Sequence, residues 1–189
     1  MIPFTEKDFM TLFFNSRHTL AGDNFFYYYT QLPEVALIVF VCIYAFFRKI
    51  KWFTASVAAF SIGGLLVGIS KLWLFNGYPR PFASIKAPKV LHIVEGMIIH
   101  STNSFPSGHT LSAFVGLSLL AYMTTNNSVK TLCFILACMV AVSRMYLGQH
   151  FFVDVYAGAI IGYGIASLTF IFFTRFFTTP FWERPALKI

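Results

Sequence analysis

Apolar residues gather along this chain in five runs, at about 32–47, 54–75, 108–124, 131–147 and 153–174. Each approaches the ~20 residues that an α-helix needs to cross the hydrocarbon of a bilayer, so the pattern predicts five transmembrane helices. The first 31 residues follow another rule. Glu6, Lys7, Asp8, Arg17 and Asp23 alternate there with Phe9, Leu12, Phe13, Phe14 and Leu20, and Phe25-Phe26-Tyr27-Tyr28-Tyr29 follows. This predicts an amphipathic segment lying in the interface and leading into an aromatic belt. Residues 82–105 read as a long loop. With no internal repeat and no low-complexity linker, the expected fold is all-α. It is a polytopic membrane helix bundle forming one domain over 1–189, with an interfacial segment at 1–31, the transmembrane bundle at 32–174 and a cytoplasmic tail at 175–189.

Composition agrees with lipid as the solvent. Of 189 residues, 57% are hydrophobic and 11% charged, against about 25% charged in a typical soluble domain. A soluble fold would lack the polar side chains to cover its surface. Disordered, collagen-like, coiled-coil and disulfide-scaffold compositions are excluded in the same way. Cys42, Cys133 and Cys138 lie in apolar runs and read as packing residues. The first eight residues lack a basic stretch followed by an apolar one, so no cleaved signal peptide is expected, and neither terminus carries a lipidation signal.

The net charge of +7 suits nucleic acid, an anionic membrane surface or a phosphorylated substrate, and placement decides among them. With the N-terminus outside, Arg48, Lys49, Lys51, Lys130, Arg175, Arg184 and Lys188 fall inside, while Lys7, Arg17, Lys71, Arg80, Lys86, Lys89 and Arg144 fall outside. The two sets are equal in size. The compact Arg48-Lys49-Ile50-Lys51 cluster directly after a span therefore sets the orientation.

In this layout the unusual polar residues share the outer side. The second span ends in Lys71 and runs on to Arg80-Pro81; the third begins at Pro106-Ser107-Gly108-His109; Ser143-Arg144 and His150 through Asp154 join the fourth to the fifth. An ionisable side chain at membrane depth costs about 2.5–3.5 kcal/mol on insertion scales, so each needs a reason. His150 and Asp154, four apart, share one face of the fifth helix, where the carboxylate can accept a hydrogen bond from one ring nitrogen and leave the other as a nucleophile. Ser107 is placed to cap a helix whose N-terminus attracts phosphate, with Gly108 where backbone can approach a ligand and His109 in the first turn. Arg144 and His150 cannot share a face of one straight helix, and Gly148 offers the turn that would bring them together. Lys71, Arg80 and Arg144 can neutralise a phosphoryl group in transfer. The single nearby acid, Asp154, is committed to His150, so no carboxylate set is available for Mg²⁺. Metal-free phosphoryl transfer through a phosphohistidine, with no cofactor, is the expectation.

These segments resemble the three-part signature of the type 2 phosphatidic acid phosphatase family, membrane lipid phosphatases that share an active-site design with vanadium haloperoxidases. Pro106-Ser107-Gly108-His109 is similar to its second motif, and Ser143-Arg144, five residues, His150, three residues and Asp154 to its third. In the first motif six residues usually separate Lys from Arg-Pro; here eight lie between Lys71 and Arg80, and Asn76-Gly77-Tyr78-Pro79 is the natural place to absorb two more. The resemblance implies that His150 attacks phosphorus, Asp154 orients it and His109 protonates the leaving group. Lys71, Arg80, Ser107, Gly108 and Arg144 would bind the phosphoryl oxygens, and water would hydrolyse the intermediate. It also implies a phosphorylated membrane lipid as substrate, no nucleic-acid partner, and a bacterial plasma membrane with the site on its outer face. Phosphatidate, phosphatidylglycerol phosphate, undecaprenyl diphosphate and a lipid A phosphate all present suitable groups. A phosphotransferase using the same site, or a non-enzymatic small transporter or structural membrane protein whose buried charges line a path, are the alternatives. His92 and His100 lack positioned partners in the sequence and read as surface or headgroup contacts, Lys86 and Lys89 as solvated or headgroup-binding charges, and Glu95 as a loop acid.

Overall fold

The computed structural model describes residues 6–31, 35–85 and 90–187, without the side chains of Glu6 and Lys7. The residues before Glu6, where no leader is expected, lie outside this set, as do the start of the first apolar run, Lys86, Lys89 and Lys188. Among the described residues the chain forms helices and loops and no strand: α1 (Glu6–Asn15), α2 (Leu20–Tyr29), α3 (Ala36–Arg48), α4 (Ile50–Ile69), a π-helical turn (Ser70–Leu74), α5 (Pro81–Ser84), α6 (Gly108–Tyr122), α7 (Asn127–Tyr146), α8 (Phe152–Phe176) and α9 (Pro180–Glu183).

All five apolar runs are helices, α3, α4, α6, α7 and α8. Among the described residues three are long and apolar enough to cross a membrane: Ile50–Leu74, α7 and α8. The 13 residues of α3 and 15 of α6 extend about 20 and 22 Å at 1.5 Å per residue, short of a hydrocarbon core of about 30 Å. The shortness of α6 has a local cause. Pro106 and the capping Ser107 start it late, and Met123 ends it before the Asn126 cap of α7. Its central position compensates. It packs against α8, α7, α4 and α3, and Leu111, Val115 and Leu119 join Val41, Ala45, Ala59, Ile165 and Ala166 in the main core.

Glycines let α6 and α8 approach. A Cβ at Gly158 would lie 2.7 Å from the Ser107 carbonyl oxygen, and one at Gly162 2.5 Å from that of Leu111. The Gly-x-x-x-Gly spacing gives α8 a flat groove against the α6 backbone, the arrangement that drives close helix pairing in lipid.

The N-terminal segment departs from its predicted role as a simple interfacial face. On α1 the apolar Phe9 and Phe13 point outward, while Thr11 and Asn15 are fully buried. Thr11 donates to the His150 carbonyl, 3.3 Å, and the Asn15 amide to the Tyr146 carbonyl, 2.7 Å. The polar face of α1 is thus spent on satisfying backbone at the α7–α8 connection. The aromatic run is partly packing as well, with Phe26 against Tyr146, centroids 4.5 Å apart, and the Tyr29 hydroxyl donating to the Leu136 carbonyl.

The region 82–105 is not an unstructured excursion. It opens with α5, and its later part packs down through Ile85 and Leu91 on Phe151, and through Val94 on Tyr146 and Leu147. At the opposite end of the bundle, Lys49 (2.7 Å) and Lys51 both pair with Glu183. The Ile50 amide donates to the Arg184 carbonyl, 3.0 Å, so the tail is fastened to the α3–α4 corner.

Candidate active site

The chain turns sharply where α7 ends. Gly148 sits at φ +64°, a left-handed conformation that glycine adopts without Cβ strain, and the amides of Gln149 and His150 both donate to the Arg144 carbonyl, at 2.9 and 3.2 Å. The six-residue separation of Arg144 and His150 is closed by this turn, as the sequence suggested. His150 itself differs from expectation. It does not share a helix face with Asp154, because α8 starts only at Phe152; it precedes the helix, and Asp154 stands in the first turn.

Asp154 organises this corner. Its Oδ2 accepts from the Phe151 amide, 2.9 Å, which caps α8, and from the Ser104 hydroxyl. His150 Nδ1 lies 3.4 Å from Asp154 Oδ2 and 3.4 Å from Ser104 Oγ. The expected histidine–carboxylate contact is therefore shared with a serine that sequence reasoning missed, since nothing in its spacing separates Ser104 from any loop serine. The geometry engages Nδ1 and leaves Nε2 directed away from this pair. Burial, and after it the charges of Arg144, Arg80 and Lys71, push the His150 imidazole well below its ordinary pKa, which favours the neutral ring.

The cations converge on the same corner. Arg80 is buried by its own loop. Its Nε donates to the Thr102 carbonyl, 3.0 Å, and its Nη1 to Gln149, 3.3 Å. Arg144, also buried, donates from Nη1 to Thr30 Oγ1, 2.6 Å, a contact from the end of α2 that the sequence gave no reason to expect. Lys71 sits in the π-helical turn, where the Phe75 amide reaches back to the Ser70 carbonyl, 2.7 Å. π-turns insert an extra residue and recur at functional sites. Together with Gly77 at φ +75°, this turn accommodates the longer Lys71–Arg80 spacer. Lys71 is close enough to Arg80, Arg144 and Asp154 to feel their charges, and His109 to feel those of Arg144, His150, Lys71 and Arg80.

Ser107 is the N-cap of α6, accepting from the Thr110 hydroxyl at 3.0 Å, and its amide donates to the Asp154 carbonyl, 3.0 Å. That bond ties the helix bearing His109 to the helix bearing Asp154. A Cβ at Gly108 would touch only Val67, at 3.5 Å, which leaves the N-terminus of α6 open to a ligand. All eight sequence-derived site residues, Lys71, Arg80, Ser107, Gly108, His109, Arg144, His150 and Asp154, stand at the same end of the bundle. A buried neutral imidazole, a second imidazole, three cations and a helix N-terminus form a site suited to phosphoryl transfer.

Of the histidines set aside, His100 is exposed, as expected. His92 is not partnerless. Its Nε2 lies 2.8 Å from Asp23 Oδ2, and its ring stacks on His18; the loop folds back onto α2 and supplies partners that neighbouring sequence does not.

The model of the PAP2 superfamily matches residues 52–178. The chain is 33% identical over 122 residues to the probable lipid phosphate phosphatase 4 of Arabidopsis thaliana, covering 58% of this chain and 38% of that protein. It is 29% identical over 175 residues to lipid phosphate phosphatase 1 of the same plant, covering 78% of this chain and 53% of the relative. The chain thus spans about half the length of these relatives or less. Among solved structures, the crystal structure of Aquifex aeolicus LpxE superimposes with a TM-score of 0.76 at 23% identity, covering 89% of this chain and 96% of that one; the fold is shared.

Proposed function

Because the chain belongs to the PAP2 superfamily and is an integral membrane protein, we propose that it is a lipid phosphatase working through a metal-independent phosphohistidine. The observation that carries this reading is the His150–Asp154–Ser104 corner facing His109 among Lys71, Arg80 and Arg144. The Nε2 lone pair of His150 attacks phosphorus as the bond to the lipid oxygen breaks. His109 gives its proton to that oxygen, and the neutral lipid alcohol, or a lipid phosphate from a diphosphate, departs. Asp154 and Ser104 hold the imidazolium that develops on His150. Water then attacks the phosphohistidine with His109 taking its proton, which releases inorganic phosphate and returns His150 to the neutral imidazole and His109 to the imidazolium that began the cycle. Lys71, Arg80, Arg144 and the α6 N-terminus, through Ser107 and Gly108, bind the equatorial oxygens.

The substrate is a phosphate monoester or diphosphate headgroup: phosphatidate, phosphatidylglycerol phosphate, undecaprenyl diphosphate or a lipid A phosphate. Placing Arg48, Lys49 and Lys51 inside puts the site at the outer face of a bacterial plasma membrane. The test is phosphate release from these four lipids by the detergent-solubilised chain without divalent metal. Activity on at least one, inhibition by vanadate and loss in His150→Ala are expected; full activity in that variant would overturn the mechanism. Transfer of the phosphoryl group to an added lipid alcohol, with no free phosphate, would instead make it a phosphotransferase.

A further inference from the structure

We propose that His18, Asp23 and His92 form a binding site for a divalent transition-metal ion of the zinc type, separate from the groups placed in the reaction. The residues come from two distant stretches, the α1–α2 connection with the first turn of α2, and the loop after α5. His92 Nε2 lies 2.8 Å from Asp23 Oδ2. The His18 and His92 rings stack with centroids 3.6 Å apart and planes 7° from parallel, and a ligating atom of each residue lies within 4.8 Å of the other two.

The donor set decides the class of ion. Two imidazoles and one carboxylate suit zinc and its neighbours, whereas calcium and magnesium take oxygen ligands. Bonds of about 2.0–2.1 Å in a tetrahedron place ligand atoms about 3.3 Å apart, so the Asp23–His92 contact would open by roughly half an ångström. Parallel rings aim their in-plane lone pairs side by side, so His18, which is exposed, swings out of the stack to ligate; it provides both the adjustable ligand and the entry path, and a water completes the four.

A supporting layer is already built. The Tyr146 hydroxyl donates to Asp23 Oδ1, 2.8 Å, orienting the carboxylate. Asn15 grips the backbone of His92 from both sides, accepting from its amide at 2.8 Å and donating to its carbonyl at 2.9 Å. Such outer contacts fix the geometry of metal ligands in other sites. A bound ion joins the N-terminal helices to the loop and, through Tyr146, to the end of α7 that carries Arg144.

The test uses the full chain in detergent, stripped by chelator and titrated with Co²⁺ as a spectroscopic probe and with Zn²⁺ during thermal unfolding. One equivalent of Co²⁺ is expected to give the visible absorption of a four- or five-coordinate ion, displaced by zinc. Zinc at a hundredfold excess over its Kd should raise Tm by roughly 5 °C or more. His18→Ala, at an exposed position, should unfold at the wild-type temperature without metal and lose both signals; Asp23→Asn should lose them too. His100→Ala, altering an imidazole outside the cluster, should keep both. Absence of both signals in the wild type, or their persistence in His18→Ala, would overturn the proposal. Neither readout depends on phosphatase activity, so this site and the proposed reaction fail separately.

Discussion

Ser104 shows how much of the site rests on a single hydroxyl. It donates to Asp154 Oδ2 and stands 3.4 Å from His150 Nδ1, so it helps hold the pair whose charge separation grows, in the proposed mechanism, as His150 becomes a phosphoryl imidazolium. A hydrogen bond to a charged group contributes about 1.5–3 kcal/mol. If that strength is felt in the transition state, Ser104→Ala lowers kcat by roughly 10- to 100-fold. KM should change little, because Ser104 is not among the groups proposed to bind the phosphoryl oxygens; steady-state kinetics on the best of the four lipids separates the two, and a rise in KM at unchanged kcat would refute the positioning role. The residues legible in the sequence were those with local chemistry: a cap before a helix, a glycine at a turn, histidines and arginines in apolar surroundings. Ser104 and Thr30 were not, since their partners Asp154 and Arg144 stand 50 and 114 positions away. No periodicity in one stretch specifies such a contact.

Among elements, the α6–α8 pair sets the distance between the imidazoles, because His109 rides on α6 while α8 is capped by Asp154 beside His150. Gly162 is the tightest point of this pair. Its missing Cβ would meet the Leu111 carbonyl oxygen at 2.5 Å and Phe114 Cβ at 3.0 Å, whereas a Cβ at Gly164 would have nothing within 4 Å. Gly162→Ala is therefore expected to cost about 1–3 kcal/mol through overpacking and to lower kcat by displacing His109. Gly164→Ala should leave both unchanged or slightly raise Tm through helix propensity. Thermal unfolding and phosphate release on the two variants check this; equal behaviour would mean that the glycine contact does not set the helix spacing. Hydrophobic runs located all five apolar helices. The helix ends were less legible, because capping by Asn126 and the π-turn at Ser70–Leu74 are hydrogen-bond events rather than changes in apolar pattern. The Gly158-x-x-x-Gly162 spacing was a readable signal for close packing, but nothing in it names α6 as the partner.

Across the whole molecule, the two ends of the bundle use charge differently. At the candidate-site end Arg80 and Arg144 are buried, as the proposed binding of a phosphoryl anion would use them; at the other, Lys49 and Lys51 meet the single carboxylate of Glu183. Hydrogen bonds from Lys49 and Lys51 hold Glu183 below the usual carboxylate pKa. A depressed carboxylate stabilises the fold fully above its unfolded pKa of about 4.3 and loses that contribution as pH falls through the lower folded value. The Tm advantage of the wild type over Glu183→Gln should be present near pH 7 and shrink progressively below about pH 4.3; a constant difference would show that the carboxylate does not act through its charge. The same lysines belong to the cluster from which the proposed orientation is read. If the positive cluster lies inside, the loop containing Gly96, exposed at the site end, faces outward, while Arg184 on the fastened tail faces the cytoplasm. In a chain with Cys42, Cys133 and Cys138 replaced by serine or alanine, a cysteine introduced at Gly96 should react with an impermeant maleimide on intact cells, and one at Arg184 only after lysis. Lys49 and Lys51 belong to the compact cluster directly after a span, so replacing them together with glutamine should weaken this asymmetry. The reverse labelling pattern in the parent chain would place the phosphoryl site on the cytoplasmic face and change which lipids it can reach.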